Sequence, residues 1–497
     1  MKNLILLSII SVLIGIFSLQ TQAQTWEQIA SDINGEEADD MSGLAVSSSA
    51  DGSIVAIGSK YNDYGQGHVR VFRNNEDSWQ QIGDAILGED SFDEFGRSVS
   101  LSMDGSILAI GSIYHDEGGT GAGHVKIYEN NADNWIPIGE IHGQAGDYSG
   151  QSVSLSNDGS ILAIGAFING DNGFEAGKAR VYENISGSWV QMGNDINGET
   201  GDRSGETVCL NADGFVLAVG AYYNDDNGSD AGCVRVYEYD NGLWQQIGTQ
   251  INGHASDDEL GTSISLNDDG TIIAIGSLWH SGVNYRGGYA CVYQNNSGSW
   301  QQIGDDIHGE AAENNAGTVS LNADGSILAV GAYGNSDNGV SSGKVKVFEN
   351  NDDNWVQIGG DIIGEASYNY FGVAISLSAN GNIVFIGASG NDNENGEDAG
   401  HVRAYEYLDP QQTNTLTQNM FSIFPNPSQG EFTIYNTQNQ LGNGKLIIRN
   451  ANGQRVFFTE FAQNSNINID ISNHPSGVYL LEISAKDCVC VQKIIIE

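Results

Sequence analysis

The residues best equipped for recognition lie between Ser277 and Gly287, where Trp279, His280, Tyr285 and Arg286 crowd a loop that carries no acid. An aromatic platform beside a planar guanidinium suits a sugar ring or a partner's side chain. Tyr222 and Tyr223 follow a strand in the same way one repeat earlier, and join that ligand-binding set. Calcium would find its oxygens elsewhere. It takes roughly 6 to 8 of them, and Asp225, Asp226 and Asp230, or Asp392, Glu394 and Asp398, could offer several. Loops of Asp, Asn and Gly also form solvated turns with no metal at all.

Catalysis finds no comparable set. Gly96-Arg97-Ser98-Val99-Ser100 has half of a nucleophile elbow, but it lacks the final Gly and falls on a strand, not on a strand-to-helix turn. Gly118 to Gly123 precede no helix, so the amides that hold a phosphate are missing. Among 9 His, His68, His124 and His401 share one position in three copies of a repeat. They read as strand ends, because zinc needs ligands that converge on one point. A formal charge of −45 repels phosphate backbones and anionic lipid, which excludes nucleic acid as a partner. The 5 Cys make no disulfide framework: a strand separates Cys209 from Cys233, and Cys488 and Cys490 share one strand face.

What must position these loops is a hairpin. In residues 98–112, SVSLSMDGSILAIGS, Val99 and Leu101 alternate with serines, Asp104-Gly105 supplies a turn, and Ile107 to Gly111 form a short apolar strand. The hairpin recurs with anchors at Val46, Val99, Val153, Val208, Ile264, Val319 and Ile375, in steps of 53, 54, 55, 56, 55 and 56 residues. In each copy a Gly then opens a third strand, as Gly123 does, and in six copies a Trp 12 residues later opens a fourth, as Trp135 does. Four strands per unit and no helical pattern predict an all-β, seven-bladed β-propeller. The seventh copy lacks its Trp, while Trp26 precedes the first hairpin with nothing to pair. A ring closed by the N-terminal strand, Thr25 to Ala30 against His401 to Tyr407, answers both and leaves no open edge.

Length varies only between the second and third strands and between the fourth strand and the next first strand. Both connections lie on one face of such a disc, which is where a rigid scaffold carries binding loops. Phe95-Gly96 and Phe371-Gly372 before hairpins, with Gly165-Ala166, Gly220-Ala221 and Gly331-Ala332 after others, resemble the FG-GAP repeat of integrin-α-type propellers. That family's calcium loop is replaced here by tight turns such as Met103-Asp104-Gly105, which implies that its metal sites are absent.

The ends have their own texture. Lys2, the apolar run Leu4 to Leu19 and Thr21-Gln22-Ala23 form an export signal over 1–23. Nothing later is long and apolar enough to span a bilayer. The propeller is expected over 24–408 and a polar linker over 409–420. Over 421–497, Phe424-Pro425-Asn426-Pro427, Gly430, a turn at Asn452-Gly453, Gly477-Val478-Tyr479 and the final Lys493 to Ile496 resemble the type A C-terminal sorting domain of Bacteroidota type IX secretion. That resemblance implies a small Ig-like β-sandwich and the type IX secretion machinery as partner. The expected whole is a secreted or surface-attached, non-catalytic binding or adhesion module for a protein or glycan, with calcium its one candidate cofactor. The alternatives are a polysaccharide-active enzyme, which needs carboxyls converging on one cleft, and a structural coat protein.

Overall fold

The computed structural model describes residues 24–408 except 76, 77 and 283, and residues 421–496 except 437–443, 451–454, 462–465 and 486–487. The export signal, the linker, the Asn452-Gly453 turn and the side chains of Cys488 and Cys490 lie outside the described residues. The chain is all-β and divides into two compact units, one of them Thr25–Tyr407.

In that unit seven propeller-like sheets share one strand order, first to fourth. The second sheet runs Ser98–Leu101, Ile107–Ser112, His124–Asn131 and Asn134–His142. Its hairpin pairs Val99 with Ile110 and Leu101 with Leu108, the register that the apolar alternation requires. In the last sheet Ile375–Leu377, Ile383–Ala388 and His401–Leu408 are completed by Thr25–Asn34, which neighbours His401–Leu408.

Hydrogen bonds run from sheet to sheet and return to their origin. Just before each hairpin turn a backbone N–H donates to the carbonyl of its counterpart in the next sheet: Ala50 to Met103, Met103 to Asn157, Asn157 to Ala212, Ala212 to Asp268, Asp268 to Ala323, Ala323 to Ala379, and Ala379 back to Ala50 at 2.8 Å. A second cycle uses the polar positions of the first strands. Ser47 Oγ accepts from Leu101 N, Ser100 Oγ from Leu155 N, and so on to Ser376 Oγ, which accepts from Ser48 N at 3.1 Å. The alternating serines therefore face a neighbouring strand, not solvent. Cys209 takes the serine place in its sheet, with Sγ 3.4 Å from Leu266 N, and is a free thiol.

The Trp series has a matching use. Trp26, Trp79, Trp135, Trp244, Trp300 and Trp355 donate their indole N–H to a carbonyl of the preceding sheet's fourth-strand segment, Trp26 to Ile358 across the join. The glycines of the FG-GAP-like pattern are demanded by contact between sheets. A Cβ on Gly331 would stand 2.3 Å from the Gly372 carbonyl oxygen. Gly343, at φ +84°, would put one 2.1 Å from the Phe371 carbonyl.

The other unit contains two sheets, Phe421–Phe424, Glu431–Asn436 and Ile467–Asp470 in one, and Arg455–Phe461, Gly444–Asn450, Gly477–Ala485 and Cys488–Ile496 in the other. Ile434, Leu446, Ile448, Leu481 and Ile494, from both sheets, belong to one core cluster. Asn426 of the Phe-Pro-Asn-Pro motif pins the final strand, accepting from Ile495 N at 2.9 Å and donating to Lys493 O at 3.2 Å.

Candidate functional site

One backbone conformation recurs in the connection that enters each sheet. Met41, Glu94, Tyr148, Arg203, Glu259, Asn315 and Tyr370 are left-handed, with φ from 49° to 54°. This region is costly for side chains other than Gly or Asn, and structures that keep it use it to aim a side chain. Met41, Glu94 and Tyr148 help to wall a cavity of about 960 Å³ that spans the first three repeats.

That cavity is aromatic and acidic. Tyr61, Tyr64, Phe92, Tyr114 and Tyr148 line it together with Asp39, Asp90, Asp93, Glu94 and Asp116, and no Lys or Arg does. Tyr64, itself left-handed at φ 57°, is 82 % exposed and Phe92 is 71 % exposed. Tyr114 and Tyr148 meet edge to face, with ring centroids 5.5 Å apart. Burial and the Glu94 charge raise the Tyr114 phenol above its ordinary value, so it remains a hydrogen-bond donor. Glu94 is neutralised by Lys60 at 3.2 Å and Arg97 at 3.5 Å. Among the described residues no ion pair engages Asp39, Asp90 or Asp116.

The sequence-derived set divides. Arg286 stacks over Trp279 at 4.8 Å and over Tyr285 at 5.4 Å, so these three do assemble. His280 does not join them: it is 8 % exposed, and its Nδ1 lies 2.6 Å from Asp258 Oδ1. Asn62, Asn169 and Asn224 make the same latch to Asp40, Asp147 and Asp202, which marks His280 as a structural residue. Tyr222 and Tyr223 meet tilted, with ring centroids 4.3 Å apart, and are held by Arg203, which donates to Tyr222 Oη at 3.1 Å and covers Tyr223 at 4.7 Å. Glu259 feels both Arg203 and Arg286, yet burial and the charges of Asp230 and Asp257 push its carboxyl up to about 7.

The calcium loops use their acids on themselves. Asp225 Oδ1 accepts from Asp230 N at 2.8 Å, and Asp226 Oδ2 accepts from Gln250 at 2.5 Å. Asp392 Oδ1 accepts from Asp398 N at 3.0 Å, and Glu394 is exposed. Burial and like charges raise Asp230 and Asp398 above the ordinary carboxylate value. Among the described residues neither loop brings oxygens of three Asp or Glu side chains within 4.8 Å of one another.

Some of the acid answers a belt of cations that the sequence reading missed. Arg70, Lys126, Lys178, Arg180, Arg235, Lys344, Lys346 and Arg403 all stand near the starts of third strands. Arg403 grips Asp32 at 2.8 and 2.7 Å, and Lys178 reaches Asp171 at 2.8 Å and Asp147 at 3.4 Å. Aligning the residues one and three places after each third-strand Gly would have found the belt.

Comparison with known proteins adds the following. Residues 422–497 match the model of the secretion system C-terminal sorting domain, and residues 142–182 match that of the FG-GAP repeat. The tail marks proteins exported by the type IX route to the cell surface or outside, so that machinery is a partner and that is where the protein works. No described helix is long and apolar enough to cross a membrane. No curated protein matches the chain. Among solved structures it is similar to hydrazine synthase of Kuenenia stuttgartiensis, at 14 % identity and TM-score 0.47 over 72 % of this chain and 94 % of that one. It is also similar to Sqt1 of Saccharomyces cerevisiae, at 12 % identity and TM-score 0.42 over 94 % of this chain and 99 % of that one.

Proposed function

We propose that residues 24–408 are a non-catalytic, seven-bladed β-propeller that serves as a binding or adhesion module outside the cell, with 421–497 an Ig-like sandwich that directs its export. The closed cycles of hydrogen bonds support the propeller, and two sheets around one core support the sandwich. The binding role rests on one observation, the cavity of about 960 Å³ lined by exposed aromatics and unpaired carboxylates. Aromatic faces stack on sugar rings and on cationic side chains, and carboxylates accept from hydroxyls or ammonium groups. The ligand is therefore a neutral or basic glycan, or a Lys- or Arg-bearing protein segment, and polyanions are repelled.

An array of glycans and basic peptides, read with the full chain and with Tyr64→Ala and Phe92→Ala, tests this. The wild type should retain a defined class, and each variant should weaken it by about tenfold or more, the 1.4 kcal/mol of one aromatic contact. Binding that ignores both substitutions sinks the assignment. One observation favours the alternative of a polysaccharide-active enzyme: Glu259, held near 7, has the pKa of an acid catalyst. Release of reducing ends that stops in Glu259→Gln would establish it.

A further inference from the structure

In the sixth sheet Lys344, near the start of the third strand, places its ammonium among three carboxylates, Glu310 at 2.9 Å, Asp361 at 3.0 Å and Asp337. The second sheet keeps all three acids, as Glu89, Glu140 and Glu117, but puts His124 where Lys344 stands. The shorter imidazole leaves this cup without its central cation. Two more imidazoles take up the room: His115 replaces the Asn335 of the sixth sheet, and His142 replaces Ile363.

We infer that His115, His124, Glu140 and His142 form a site for a divalent transition metal, with Zn²⁺ the ion that best suits three imidazoles and one carboxylate. One ligand atom from each of the four lies within 4.8 Å of every other. His124 Nδ1 and Glu140 Oε1 are 3.2 Å apart, close to the edge of about 3.3 Å that bonds of roughly 2.0–2.1 Å give a tetrahedral zinc. His124 is 1 % exposed, and among the described residues neither ring nitrogen has a hydrogen-bond partner. His115 is 4 % exposed, its Nε2 makes no hydrogen bond among the described residues but lies 3.7 Å from Glu117 and 3.9 Å from Glu89, and its Nδ1 lies 2.9 Å from the buried Asp93 carboxylate. That contact holds a proton on Nδ1 and leaves Nε2 as the ligand atom, the carboxylate–histidine arrangement that supports metal ligands.

The surrounding charge favours a cation. Lys126, 3.7 Å from Glu140 Oε1, opposes it, but Lys126 is paired with Glu89, and Asp93 and Glu117 stand nearby. The strand that delivers Glu140 and His142 also has a spacing peculiar to this sheet. From Trp135 to Gly143 it is one residue shorter than from Trp79 to Gly88, and Asn134–His142 is one continuous strand where the first sheet breaks into Ser78–Gln81 and Ile86–Leu87. His142 pairs directly with His124, as Ile363 does with Lys344 in the sixth sheet. Four protein donors complete a tetrahedron, so the ion would tie the loop to the sheet and not activate water.

The test is titration of the metal-stripped full chain with Zn²⁺ in excess Ca²⁺, with Co²⁺ absorption as a second reading. The wild type should take up about one equivalent tightly, gain thermal stability, and show the intense d–d bands of tetrahedral Co²⁺. His142→Ala, at an exposed position, should weaken uptake by at least about tenfold. His124→Lys restores the ammonium of the sixth sheet, so it should fold and lose the metal. His254→Ala, in the fifth sheet, should change nothing. Absence of saturable uptake, uptake that ignores His142→Ala and His124→Lys, equal loss in His254→Ala, or only weak octahedral Co²⁺ bands would each overturn the inference.

Discussion

The two faces of the ring are made from the same chain under opposite constraints. On the turn face every copy repeats one hairpin of constant length, and the backbone cycle passes from Ala50 to Ala379 and back without a missing bond. On the loop face lengths vary, the left-handed position carries Met, Glu, Tyr, Arg or Asn, and exposed aromatics collect over the first three repeats. Closure is thus held where the sequence is uniform, and the loop face is free to vary where it is not.

The sharpest way to break this contrast is a matched pair of glycine substitutions, compared by urea midpoint. Gly159, in a hairpin turn at φ +70°, would carry a Cβ 2.7 Å from Ile107 Cβ of the preceding sheet. Gly159→Ala should cost about 2–4 kcal/mol, from left-handed strain plus overpacking. Gly146, on the loop face at φ +81°, has nothing within 4 Å of such a Cβ. Gly146→Ala should cost only about 1 kcal/mol. Equal costs would mean that the turn face carries no special load.

Acid should act at the loop-side ends of the third strands. Burial, with Arg70 beside one and Arg403 beside the other, holds His68 and His401 neutral down to about 4, against 6.5 when unfolded. Asp40 and Glu36 oppose this at His68, and Asp32 and Glu365 at His401, without overcoming it. A lowered folded pKa means that the unfolded chain binds more protons, so stability is whole above 6.5 and falls as pH drops toward about 4. Midpoints at pH 7 and 4.5 read this, and the double variant His68→Cys/His401→Cys, patterned on Cys233, should flatten the slope in that window.

A smaller effect separates two tryptophans. Trp244 donates to Met192 O at 2.8 Å, whereas the indole N–H of Trp189 has no partner. Trp244→Phe should therefore cost about 1 kcal/mol more than Trp189→Phe. Smallest of all, Tyr64→Ser should leave the midpoint within about 0.5 kcal/mol of wild type, because its side chain lies largely in water.

What the sequence disclosed follows from the same division. The anchor, Gly and Trp series were legible because every sheet needs them at one place, and the orphan Trp26 pointed to its neighbour His401–Leu408. The loop face was legible as a place, since Tyr61 and Tyr114 follow second strands, but not as a cavity. Tyr64 and Phe92 belong to single loops and Tyr148 to a left-handed position that no residue type announces. His280 looked free because nothing local shows that Asp258, 22 residues earlier, returns to meet it. His115, His124 and His142 come from a loop and two strands, so their meeting depends on three-dimensional register.

The strand that completes the last sheet also sets the order in which the molecule can be finished. Trp26 is made first, yet its indole partner, Ile358 O, follows 332 residues later, and Tyr407, 5.1 Å from its ring, later still. A chain cut short of its final copy cannot bury its own beginning. Completion of the last sheet thus waits on residues from both ends of Thr25–Tyr407.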